Sequence, residues 1–109
     1  MQPLFLGIDI TSKDAALSET EFRELIAPSI SYLDALSGAF EKKPCGVFFY
    51  PPDPDKNSKQ WSARCATVIY VGKERREYLI ELYRAIVNLI VLELPDCEVR
   101  AEGMTLNVS

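Results

Sequence analysis

The chain has 109 residues, the size of one domain and enough to bury its own hydrophobic core without metals or crosslinks. Its apolar fraction of 48% and charged fraction of 26% are ordinary for a soluble globular protein. The net charge is −4 and the Lys and Arg residues do not gather in one run, which argues against nucleic-acid binding through phosphate contacts. We therefore predict a single domain over residues 1–109 that has no nucleic-acid partner.

The cysteines and the N-terminal residues indicate the cellular compartment of the protein. Cys45, Cys65 and Cys97 are odd in number and form no C-x-x-C pair, which is typical of free thiols in a reducing environment. The first residues lack the basic region of a signal peptide, and no apolar run approaches the roughly 20 residues needed to cross a membrane. These features predict a cytoplasmic protein with no membrane partner.

The first predicted element is a half-buried strand over residues 4–10, where apolar and other side chains alternate. The face predicted to lie on the core carries Leu4, Leu6, Ile8 and Ile10. The other face carries Phe5, Gly7 and Asp9.

A helix follows, and its start is marked by the capping box Ser18-Glu19-Thr20-Glu21. Apolar residues recur at helical spacing as far as Phe40. Pro28 interrupts this pattern, so either the helix kinks there or a second helix restarts with Pro28. Gly38 is a plausible end of the helix.

Two strands come next, a short aromatic one over 47–50 and a longer one over 61–71. The apolar residues of the longer strand favour a central position in the sheet or cover on both faces. Between them lies a loop with three prolines, within the stretch FFYPPDPDKNSKQW. We predict that the two strands form a hairpin and that this stretch supplies its long connection.

The second helix is predicted over residues 73–94, because apolar residues recur at helical spacing until Pro95 stops them. Near its end the polar face almost vanishes. A last alternating stretch runs from Cys97 to Val108, broken by Gly103. It predicts either one bulged strand or a tight hairpin that turns at Glu102-Gly103, which would add one further strand.

The predicted order is β-α-β-β-α-β, the ferredoxin-like plan of the α+β class. This plan is a two-layer sandwich in which an antiparallel sheet carries two helices on one face. The other face of the sheet would then hold apolar side chains, among them Phe5, Phe49, Val68, Tyr70 and Phe48. Such a surface indicates a partner or an oligomer contact, unless a fifth strand or the N-terminal end covers it.

The composition offers little catalytic chemistry. The chain has no histidine, which removes the commonest general base and metal ligand. Asp53-x-Asp55-x-Asn57 resembles the start of a calcium loop, but Ser58 and Arg64 occupy the positions that require glycine and glutamate. Two loop aspartates among prolines favour turns instead. We predict no metal and no cofactor.

From these patterns we predict a small non-catalytic interaction protein, an adaptor, inhibitor or assembly subunit of bacterial or viral type, that acts through the sheet face and the 50–61 loop. Its partner would be another protein or a second copy of the chain, with a homo-oligomer favoured. The predicted partner-binding residues are Tyr50, Asp53, Asp55, Lys59, Trp61, Phe49 and Tyr70, with Lys56 as a further charged contact. Tyr50 and Trp61 would be aromatic anchors at the two ends of the loop.

The alternative is a small enzyme or ligand-binding domain with a pocket between sheet and helices. Its candidate polar groups are Asp9, Tyr70, Tyr83 and a cysteine. Asp9 could act as a general acid or base if it faced the open side of the sheet beside a second polar group.

Overall fold

A computed structural model describes residues 2–53, 55 and 59–105, the last three as backbone only. In chain order the elements are β1 (Gln2–Ser12), α1 (Glu19–Glu41), β2 (Gly46–Tyr50), β3 (Ser62–Val71), α2 (Lys73–Glu93) and β4 (Cys97–Thr105). The strands form one antiparallel sheet in the order β2-β3-β1-β4. Both helices pack on the same face of this sheet. The predicted ferredoxin-like α+β fold is therefore confirmed.

The core lies between the helices and one face of the sheet. The alternation predicted for β1 is confirmed, because Leu4, Leu6, Ile8 and Ile10 are almost fully buried. Opposite them, Phe22, Ile26 and Leu33 of α1 and Leu79 and Ile90 of α2 are buried to the same degree. Together with the buried residues of β3, these side chains form one contiguous cluster.

Helix α1 begins as the sequence predicts and ends later. The Ser18 hydroxyl accepts from the Glu21 amide at 3.1 Å, and the Glu21 carboxylate accepts from the Ser18 amide at 3.2 Å. The helix runs through Pro28 without a restart, so that alternative was wrong. It also passes Gly38 and ends at Lys42, whose backbone is left-handed with φ 57° and whose amide donates to the Gly38 carbonyl.

Strand β4 corrects the expectation of a turn or bulge at Glu102-Gly103. Its pairing with β1 is regular along its whole length: Glu102 is paired with Gly7 and Gly103 with Leu6. Neither a bulge nor a hairpin interrupts it, so residues 97–105 add a single strand. Leu106 and Val108, which were part of the predicted strand, lie outside the described residues.

Strand β3 is central, as its apolar sequence predicts, and it lies between β2 and β1. Its partner β2 covers only the first half of it, since pairing ends at Gly46–Ala66. Beyond that point the backbone amide of Tyr70 donates to the Glu41 carboxylate at 2.6 Å. The end of α1 thus satisfies a strand amide that β2 is too short to reach.

Candidate binding surface on the open sheet face

The helices leave one face of the sheet uncovered, and we call it the open face. Because side chains alternate across a strand, the registers assign its members. On β2 and β3 they are Phe48, Tyr50, Ser62, Arg64, Ala66, Val68 and Tyr70. On β1 and β4 they are Phe5, Gly7, Asp9, Thr11, Glu98, Arg100 and Glu102.

An ion-pair network occupies the centre of the open face. Asp9 and Arg64 are directly opposite on β1 and β3, and Arg64 donates from Nε to Oδ1 at 2.9 Å and from Nη2 to Oδ2 at 3.1 Å. Arg64 Nη2 also lies 3.4 Å from a Glu102 oxygen. These bonds and the charge of Asp9 raise the pKa of Arg64. At the edge strand, Arg100 pairs with Glu98 at 3.1 Å.

This network changes the interpretation of Asp9. The sequence suggested a carboxylate near apolar surface and gave no partner for it, yet Arg64 engages both of its oxygens. The partner of Asp9 can be identified once the register of β1 against β3 is known, because Asp9 and Arg64 form one cross-strand pair. Asp9 therefore serves as one half of a bidentate ion pair, a geometry that fixes both side chains.

Large apolar side chains flank the charges. Phe48 is 58% exposed, Tyr50 51% and Tyr70 53%. The ring of Phe5 lies along β1 over Gly7, where an added Cβ would come within 2.9 Å of it. A shallow cleft of about 490 Å³ opens between the aromatic edge and the charges, lined by Asp9, Thr11, Tyr50, Ser62, Arg64 and Arg100 among others.

Two of the predicted partner-binding residues, Phe49 and Trp61, turn inward, so their placement on the open face or its rim was wrong. Phe49 lies on the helix side of β2, where its ring meets Phe22 edge-on at 6.3 Å and the Arg23 guanidinium lies 3.8 Å from its centroid. Trp61 stacks on Phe22 with ring centroids 6.4 Å apart. The face of Phe49 depends on the pairing Phe49–Ala63, and a run of three aromatics does not reveal that register.

The described part of the 50–61 loop contains a turn. The Asp53 carboxylate accepts from the Asp55 amide at 3.0 Å, which is the turn-forming role predicted for these aspartates. Lys59 is exposed, whereas Lys56 lies outside the described residues. Among the residues that the structure describes, no group of three His, Cys, Asp or Glu side chains could hold a metal ion.

The groups named for a pocket between sheet and helices do not converge there. Asp9 and Tyr70 lie on the open face, and the Tyr83 hydroxyl donates to the Gly7 carbonyl from the opposite side of β1. The three cysteines are free and buried. Burial raises the pKa of Cys45 to about 12 and that of Cys65 to about 11, with contributions from the carboxylate of Asp34. Their burial and raised pKa values are those of unreactive structural thiols.

The helical layer has an apolar surface of its own. A groove of about 450 Å³ runs between α1 and α2, lined by Tyr32, Leu36, Phe40, Tyr78 and Leu82 among others. At the end of α2, Leu92 is 78% exposed. Over the described residues, neither helix is long and apolar enough to cross a membrane.

Comparison with known proteins supports the fold alone. No protein-family model matches the sequence, and no curated protein matches it. The de novo designed protein Foldit4 is similar in structure, with a TM-score of 0.55 and 17% identity over 97% of this chain and 100% of that one.

Two more solved structures align less well. The de novo designed protein LFR1 1, described as having a ferredoxin fold, gives a TM-score of 0.45 at 15% identity over 100% of this chain and 90% of that one. A mutant of SnoaB, a cofactor-independent oxygenase from Streptomyces nogalater, gives 0.47 at 8% identity over 100% of this chain and 97% of that one. At these scores, neither likeness bears on what this chain does.

Proposed function

We propose that this chain is a non-catalytic protein–protein interaction module whose docking surface is the open face. The observation that carries the proposal is the exposure of Phe48, Tyr50 and Tyr70 on the one side of the sheet that no helix covers. Exposed aromatic rings bury a large apolar area on docking and lose little side-chain conformational entropy. This is why such residues dominate interface energies.

The charged centre gives this surface its selectivity. The Asp9–Arg64–Glu102 network and the Glu98–Arg100 pair place charges of both signs beside the aromatics, across β3, β1 and β4. A partner must match this pattern, because a like charge brought against a desolvated one costs several kcal/mol, on the order of 3. Apolar anchors around a fixed polar pattern suit an adaptor, an inhibitor or an assembly subunit.

The roles of the individual residues follow from their positions. Tyr50 and Tyr70 remain proposed anchors, and Phe48 takes the place that the sequence gave to Phe49. Lys59, Asp53 and Asp55 lie in the loop that follows Tyr50, where they would form a charged rim. Trp61 supports the hairpin from the core side and is not a proposed contact.

A photo-cross-linking amino acid tests the proposal directly. We expect p-benzoylphenylalanine at position 48 to form a covalent protein adduct when the protein is expressed in its own cells and irradiated. The control places the same residue at position 92, which is more exposed than Phe48 but lies on α2. No adduct at position 48, or equal adducts at both positions, would contradict docking through the open face.

A further inference from the structure

The open face has a charge pattern that is complementary to itself. We propose that its partner is a second copy of this chain, packed face to face about a two-fold axis that runs parallel to the strands between β3 and β1. This inference rests on the proposed function of the open face, and it names the occupant.

The geometry follows from the cross-strand rows. One row reads Phe48, Arg64, Asp9 and Arg100 across β2, β3, β1 and β4. Rotation about the proposed axis reverses this order in the second copy. Arg64 then faces Asp9 of the second copy, and Phe48 faces Arg100 of the second copy. The central contact becomes a cluster of two ion pairs, and the outer contact places a guanidinium on an aromatic ring.

Two-fold axes that run along one of the two central strands bring like charges together. An axis along β3 places Arg64 against Arg64 of the second copy, and an axis along β1 does the same for Asp9. An axis perpendicular to the strands that passes through the Arg64–Asp9 row lays each strand over its own copy, so that the same like charges meet. Like charges directly opposed are unfavourable, whereas the axis between β3 and β1 pairs opposite signs.

The rest of the face permits close approach along this axis. In the next row, Ala66 is placed opposite Gly7 of the second copy, over which the Phe5 ring lies. In the same row, Glu102 is placed opposite Gly46 of the second copy. Beyond it, Val68 is placed opposite Phe5, and both are half-buried in one copy alone. Packed sheets lie about 10 Å apart, a gap that side chains of these sizes can fill.

The available area is sufficient for a specific dimer. Three strands of about 31–37 Å and the shorter β2 of about 17 Å, at about 4.8 Å spacing, give a face of roughly 600 Å² per copy. The two copies together would bury about 1,200 Å², which reaches the lower end of stable interfaces. Because burying ion pairs roughly breaks even, we assign the affinity to the apolar contacts and the orientation to the charges.

The first test is the solution mass by light scattering across a hundredfold dilution. We expect twice the 12.3 kDa of one chain at the higher concentrations. Ala66→Arg introduces a large charged side chain beside the axis and should weaken dimerisation at least tenfold. The matched control is Ala101→Arg, which adds the same side chain at an exposed position of β4 on the helix side of the sheet and should leave the mass unchanged.

The second test fixes the orientation with a short bifunctional thiol reagent. Phe48→Cys and Arg100→Cys are made in separate chains, which are mixed and allowed to exchange. The proposed axis brings position 48 of one copy near position 100 of the other, so only the mixture should cross-link. In either variant alone the two engineered thiols would lie about three strand spacings apart, on the order of 14 Å.

Each outcome decides between the proposals. A monomer at every concentration overturns self-association, and so does a dimer that survives Ala66→Arg. Cross-linking of one variant alone overturns the orientation. If the chain is monomeric but position 48 cross-links to a different protein, the open face is an interface and only the identity of its occupant was wrong.

Discussion

Two buried serines of α1 differ in whether their hydroxyl groups are hydrogen-bonded, and this difference affects stability. Ser29 and Ser37 are both almost fully buried. The Ser37 hydroxyl is hydrogen-bonded to Thr67 of β3 at 2.8 Å, whereas the Ser29 hydroxyl has no partner among the described residues. A buried hydroxyl without a partner has lost its hydrogen bonds to water, and no hydrogen bond within the protein replaces them.

The same substitution should therefore have opposite effects at the two sites. We expect Ser29→Ala to raise the free energy of unfolding by about 1 kcal/mol, because it removes an unpaired polar group and adds a better helix former. Ser37→Ala should lower it by about 1–3 kcal/mol, since Thr67 is left unpaired. Urea denaturation of the two variants checks this, and a loss at Ser29 equal to that at Ser37 would contradict it.

The buried thiols predict how stability depends on pH. Burial raises the pKa of Cys65 in the folded state to about 11, from the ordinary value of 9.0. The folded state thus favours the neutral thiol. The contribution of this thiol to the free energy of unfolding is fully present below pH 9. Above pH 9 the unfolded chain ionises first, so the free energy of unfolding falls with pH until the folded thiol also ionises near pH 11.

Cys65→Ala isolates this contribution. The wild type should lose up to about 1.4 kcal/mol per pH unit from this thiol between pH 9 and 11, which is the limit for one titrating group. The variant should be less stable at neutral pH because of its cavity, but its stability should fall less steeply over that interval. Parallel slopes for the two proteins in urea denaturation would refute the assignment.

At the scale of elements, one hydrogen bond connects the second helix to the middle of the sheet. The Tyr83 hydroxyl of α2 donates to the Gly7 carbonyl of β1, and both residues are buried. Tyr83→Phe keeps the ring and removes the donor, so we expect a loss of about 1 kcal/mol. Tyr78→Phe on the same helix is the control, because that side chain is 54% exposed and should change the denaturation midpoint little.

The elements differ in how far the sequence determines them. The capping box at Ser18 and the stop at Pro95 are local signals, and both ends were found within a residue. The end of α1 has no such signal: Lys42 takes the left-handed conformation that glycine usually provides, while Gly38 lies inside the helix. Tertiary packing of Phe40 against the core cluster extends the helix past the local breaker.

The open face could be predicted only in outline. That one side of the sheet would be bare follows from the element order, and the exposure of Phe48 and Tyr70 agrees with it. The Asp9–Arg64 pair could not be predicted, because its residues are 55 positions apart and meet only through the register of β1 with β3. A shift of that register by one residue would place the two side chains on opposite faces of the sheet.

For the molecule as a whole, the sequence was sufficient to predict the layers but not the surface. Alternating patterns determine which side of each element is buried, and those sides agree among the four strands and two helices. Which charges meet on the exposed side depends on long-range pairing, and local patterns carry no information about it. The order of the elements and the two layers were therefore predicted, whereas the end of α1, the regular pairing of β4 and the arrangement of the candidate site were not.

The central place of β1 has a consequence for synthesis on the ribosome. Both neighbours of β1 come later in the chain, β3 ending at Val71 and β4 reaching Thr105. At about 5–20 residues per second, roughly 3–12 s pass between the appearance of β1 and that of its first partner strand. During that interval the apolar face of this eleven-residue strand has no partner strand beside it, so it stays exposed on the nascent chain until β3 has been made.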